Sequence, residues 1–72
     1  MISLEHIMEE VSSLGSGWDW LIRSNGTRFV VNIYFDRGAT TAQYFPVHGA
    51  DLETAFTESL RRARAFLSEG VR

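Results

Sequence analysis

The sequence predicts an α+β fold: a single two-layer domain, residues 1–72, in which one helix is followed by a three-stranded antiparallel meander and a C-terminal helix (αβββα). Three observations carry that prediction. Two runs of alternating apolar residues meet at Asn25-Gly26, the strongest short hairpin signal. A third strand-like run, Thr40 to Val47, follows them and contains the only proline, Pro46. Apolar residues recur at helical spacing on both sides of this strand region.

In the N-terminal segment, Leu4, Ile7, Met8, Val11 and Leu14 fall on one helical face and Ser3 stands where an N-cap is expected. The outer face carries Glu5, His6, Glu9 and Glu10, with acids weighted towards the end that the helix dipole favours. This helix either packs beside the second one or extends away from the domain. Gly15-Ser16-Gly17 then leads the chain into the strands.

In the hairpin, a loop of Asn25 and Gly26 pairs Ile22 with Phe29, Trp20 with Val31 and Trp18 with Ile33. The alternate positions pair Arg23 with Arg28, Leu21 with Val30 and Asp19 with Asn32. One face is therefore strongly apolar and the other mixed, and a one-residue slip would spoil both. Trp20 is expected to be buried. Asp36-Arg37-Gly38 reads as the next turn, and the register of the third strand is open. An even loop places Ala42 and Tyr44 on the apolar face; an odd loop places Gln43 and Phe45 there. Pro46 cannot donate a ladder hydrogen bond, so this strand is an edge or ends at that residue.

Val47 to Ala50 is read as the turn into the second helix, with Asp51 as its N-cap. Leu52, Ala55, Phe56, Ser59, Leu60, Ala63, Phe66 and Leu67 form the strongest helical stripe in the chain. Gly70 is the expected residue just past its end, Arg61, Arg62 and Arg64 suit the negative end of its dipole, and Glu58 with Arg62 is an i, i+4 pair.

Composition narrows the function classes. The absence of cysteine excludes disulfides and thiolate metal sites. No apolar run approaches the ~20 residues that span a bilayer, and the first residues carry no secretory pattern, so a cytoplasmic protein without membrane contact is expected. A net charge of −2 argues against phosphate-backbone binding as the main activity, although all seven basic residues are arginine, the side chain suited to bidentate anion recognition. Neither a Gly-rich phosphate loop nor a nucleophile motif is present. His6 with Glu10, and His48 with Asp51, are the pairs nearest to a metal or acid–base site. Both are explained by solvated helix and turn positions, so no enzyme, metal or cofactor is expected.

The mixed sheet face carries more information. Leu21, Val30 and Tyr34 interleaved with Arg23, Arg28 and Asn32 give the aromatic, apolar and arginine mixture found at binding surfaces. These six are the candidate partner-binding residues.

A meander followed by a helix opening on Asp-Leu-Glu-x-Ala, here Asp51 to Ala55, resembles the partial double-stranded-RNA-binding fold of HicB-type antitoxins and of integrase arm-binding domains. The likeness runs from about Trp18 to Leu67 and rests on the spacing of Leu52, Ala55 and Phe56. It implies a nucleic-acid-binding or antitoxin-like module using Arg23, Arg28 and Tyr34, with Arg61, Arg62 and Arg64. A small, acidic, cysteine-free chain is also similar to small proteins of phages and mobile elements, including anti-CRISPR inhibitors. That resemblance implies a non-enzymatic inhibitor occupying a protein or protein–nucleic acid complex of the host. The acids Glu5, Glu9, Glu10, Asp19 and Asp36 would then face arginines that normally hold phosphate. A homodimeric structural protein is the remaining expectation.

Overall fold

A computed structural model describes residues 2–35 and 42–70, so the expected turn at Asp36-Arg37-Gly38 lies outside the described residues. The elements follow the order α1 (Leu4–Ser12), β1 (Trp18–Asn25), β2 (Arg28–Phe35), β3 (Gln43–Gly49) and α2 (Leu52–Gly70). The strands form one antiparallel sheet in the order β1-β2-β3. Both helices lie on the same face of it, α2 over β2 and β3, α1 over β1.

The hairpin register differs from the sequence expectation by two residues. Asn25 pairs with Arg28, Ile22 with Val31, Trp20 with Ile33 and Trp18 with Phe35. The loop is Gly26-Thr27, and Gly26 alone takes positive φ, at 67°. This is the pattern of a type II′ turn, which needs positive φ only at its first central residue and so places the whole demand on glycine. A shift of two preserves the strand period, and both faces keep their expected residues.

In a two-residue hairpin the closing pair exchanges both backbone hydrogen bonds and the pattern then alternates. The odd residues of β1 therefore bond to β2, while Trp18, Trp20, Ile22 and Ser24 turn their backbone groups to an edge that no described strand covers. The Trp20 N–H at that edge donates to Asp19 Oδ1 at 2.8 Å.

The third strand takes the odd register: Phe45 pairs with Ile33 and Val47 with Val31, while Tyr44 faces the other side beside Tyr34. It is an edge strand through Pro46, and it continues to Gly49, so the expected turn at Val47 to Ala50 is confined to Ala50-Asp51. Gly49 lets the strand end approach α2 closely: a Cβ there would meet the Ala55 Cβ at 3.3 Å, a tight contact.

Asp51 caps α2 through Oδ2, which accepts from Thr54 N and Oγ1 at 2.9 and 2.7 Å. The helix runs to Gly70 and so includes the residue expected just past its end; Arg61, Arg62 and Arg64 therefore sit mid-helix, not in the last turn. Ser3 Oγ caps α1 by accepting from His6 N at 3.1 Å. The inner stripe of α2, Ala55, Ser59 and Ala63, is fully buried. Its small side chains bring the helix close enough for Ser59 Oγ to accept from Ile33 N (3.2 Å) and donate to Phe45 O (2.6 Å).

Phe56, Leu60, Val31, Ile33 and Val47 complete the core around that stripe, and α1 adds Ile7, Val11 and Leu14. Trp18 stacks on Phe45 at 6.0 Å and lies near Phe35 and Phe66. Trp20, expected to be buried, is half-buried, because β1 has a neighbouring strand on one side only. The first helix packs beside the second: Glu10 pairs with Arg64, and the His6 ring lies 6.3 Å from that of Phe56.

Candidate functional site: the open sheet face

Because both helices lie on one face, no described element covers the other. The two registers place its residues in rows across the strands: Asp19, Tyr34, Tyr44; Leu21, Asn32, Pro46; Arg23, Val30, His48. Arg28 stands one step nearer the hairpin end. All six expected partner-binding residues therefore share this surface.

Their exposures differ in an informative way. Leu21 is 49% exposed, and Arg23 and Arg28 are exposed, whereas Val30, Asn32 and Tyr34 on the central strand are half-buried. The Tyr34 ring stacks on that of Tyr44, with centroids 5.7 Å apart and planes 29° apart. Asn32 also serves the sheet, since its Oδ1 accepts from Phe45 N at 3.1 Å.

Sequence reasoning puts part of the third strand on this face without assigning its residues. Tyr44, 54% exposed, is the most exposed aromatic here, and Pro46 and His48 stand beside it on the same surface. Their membership follows from the odd register, which the sequence offered as one of two choices.

The three α2 arginines are on the opposite side of the molecule and already hold carboxylates. Arg61 and Arg62 both bond Glu58, and Arg64 bonds Glu10. Hydrogen bonds from Arg61 and then Arg62 hold the Glu58 carboxyl at about 2, far below its ordinary 4.5. The same contact raises Arg61. Hydrogen bonds from the Thr54 hydroxyl and N–H lower Asp51. Arg23 and Arg28, by contrast, form no ion pair among the described residues.

A shallow groove of about 390 Å³ lies beside the start of α2, lined by Asp51, Glu53, Thr54, Thr57 and Glu58. The carboxylates of Asp51 and Glu58 already have partners within the helix. His48 stands at the end of β3 on the open face, while the Asp51 carboxylate is turned to Thr54. Among the described residues, no group of three or more His, Cys, Asp or Glu is placed to hold a metal ion, and no helix is long and apolar enough to cross a membrane.

Of the acids grouped in the sequence reading, Glu5 and Glu9 are exposed on α1, Glu10 is paired with Arg64, Asp19 belongs to the open face and Asp36 lies outside the described residues. No family model, no curated protein and no solved structure matches this chain.

Proposed function

We propose that this protein is a small non-enzymatic binding protein whose open sheet face occupies a surface on a larger protein or protein–nucleic acid complex, as an inhibitor of a host defence complex from a phage or mobile element would. The observation that carries this reading is the uncovered face itself. Leu21, Tyr34, Tyr44 and Pro46 provide apolar and aromatic contact area, and Arg23 and Arg28 have guanidinium groups that no described carboxylate occupies. Aromatic residues with arginine supply most of the binding energy at protein interfaces.

The test is recovery of partners from a host lysate with the wild-type chain and with an Arg28→Ala, Tyr34→Ala double variant. A stoichiometric protein captured by the first and lost from the second supports the reading. Equal capture by both moves the contact surface elsewhere.

A second reading is favoured by the same arginines and the stacked tyrosines: single-stranded nucleic acid resting on the sheet. It predicts affinity that falls steeply with salt, because phosphate contacts release counterions. No binding of labelled single strands or duplex at low salt removes it.

A further inference from the structure

We propose that the free edge of β1, beneath α1, receives an extended segment of a partner protein as a fourth strand of the sheet. This is a second surface, and it does not rest on the open-face reading.

The first argument is one of width. Two helices packed ~10 Å apart span about as much as four strands at ~4.8 Å, and this sheet has three among the described residues. With α2 seated over β2 and β3, the surplus width falls at β1, where α1 lies.

Helical position shows what the surplus presents. His6 and Glu10, one turn apart, form the flank of α1 that meets Phe56 and Arg64 of α2. Ile7 and Val11 face the core, and Leu4 and Met8 occupy the flank beyond them, turned away from α2 on a helix that lies over β1. Leu4 is 60% and Met8 51% exposed, so this apolar flank has no described partner.

The two sheet edges also differ. In β3 the backbone groups turned outward belong to Tyr44, Pro46 and His48, and proline has no N–H to offer. In β1 they belong to Trp18, Trp20, Ile22 and Ser24, each with donor and acceptor. The Trp20 N–H rests meanwhile on Asp19 Oδ1. An added strand would replace that bond with a carbonyl and release the Asp19 carboxylate.

Charge decides the chemistry of the occupant. On the open-face side of β1, Asp19 and Arg23 flank Leu21. An antiparallel strand centred on Leu21 sets an acid against Arg23 and a base against Asp19, with its two intervening side chains turned under α1 towards Leu4 and Met8. The segment therefore reads acid-apolar-apolar-apolar-base. The β1 strand of a second copy has that order itself, Asp19 to Arg23. A second copy fits less well, because it would bring its own α1, over β1 on the same face of the sheet, closer to the first than the 8–10 Å that packed helices need.

The probe is the peptide Thr-Glu-Val-Leu-Val-Lys-Thr, with Thr-Lys-Val-Leu-Val-Glu-Thr as its charge-reversed control, titrated by NMR into the full chain. The first peptide should bind about tenfold more tightly, from two cross-strand ion pairs made attractive instead of repulsive. Binding should slow amide exchange at Trp20 and Ile22. Leu4→Glu with Met8→Glu, both on exposed positions, should weaken it about tenfold at unchanged melting temperature. A combined Asp19→Arg, Arg23→Asp variant should reverse the preference between the peptides. Equal binding of both peptides, no binding of either, or shifts confined to Tyr34 and Tyr44 overturns the proposal. A chain that sediments as a concentration-dependent dimer disrupted by Leu4→Glu and Met8→Glu overturns the choice of occupant.

Discussion

The two faces of this sheet are built from alternate residues of the same three strands, yet they meet different surroundings. On the covered face Val31, Ile33 and Val47 are buried against α2. One residue along, Val30 and Asn32 are half-buried and Leu21 and Tyr44 are about half exposed. Side-chain period alone makes this difference, so a substitution on one face should register in stability and its neighbour on the other in binding.

The largest effect belongs to the covered face. Phe56 is the largest side chain that is fully buried, and Phe56→Ala should destabilise by about 3–5 kcal/mol, enough to unfold a domain with only a few kcal/mol of net stability. Trp20→Ala should cost less, about 2 kcal/mol, because its edge strand leaves the ring half exposed. Circular dichroism melts of both variants check the order. A Phe56→Ala protein that melts cooperatively near the wild-type temperature breaks the assignment of faces.

Next in size is Ser59. Its hydroxyl is the link between α2 and the backbones of β2 and β3, and Ser59→Ala leaves the Ile33 N–H and the Phe45 carbonyl without that partner at a buried site. The expected loss is about 2–3 kcal/mol by urea denaturation. A neutral substitution would mean that the strand groups pair with each other once the hydroxyl is gone.

Ser59 also shows where the sequence was legible and where it was not. Its place on the apolar stripe was visible from spacing; its bonds to strand residues depend on how closely Ala55 and Ala63 let the helix approach, which spacing does not encode. The hairpin faces were legible for the same reason that its register was missed by two. Face follows parity, whereas register follows the turn, and Asn-Gly and Gly-Thr loops give the same parity. Tyr44, Pro46 and His48 were hidden from the candidate surface because parity across the loop after β2 was undetermined. Leu4 and Met8 share the helical stripe of Ile7 and Val11 yet are exposed, because spacing does not tell which part of the stripe the sheet beneath it covers.

A smaller effect is expected at the outer surface of the covering helix. Glu58 titrates at about 2 in the folded chain against an ordinary 4.5, held down first by Arg61 and then by Arg62. A carboxylate depressed by folding adds stability that is present above about pH 4.5 and is lost as the pH falls towards 2. Melting temperature should therefore decline through that window, with Asp51 acting in the same direction. In Glu58→Gln the decline should be shallower. An identical slope in that variant would assign acid sensitivity to other carboxylates.

The smallest stability effect should come from the open face. Arg28 is exposed, with no ion pair among the described residues, and Tyr34 rests on Tyr44 without entering the core. Replacing both by alanine should shift unfolding free energy by about 1 kcal/mol or less, most of it from the lost ring stack. Partner binding should weaken by about 2 kcal/mol or more, since aromatic and arginine side chains at the centre of a contact carry a large share of its energy. The same variant should bind the acid-to-base peptide at the β1 edge as the wild type does, because both residues lie on β2, with β1 between them and that edge. A large loss of stability would place Tyr34 and Tyr44 inside a packed interface already present in the free protein, and the contrast between a stabilising face and a contacting face would fail there.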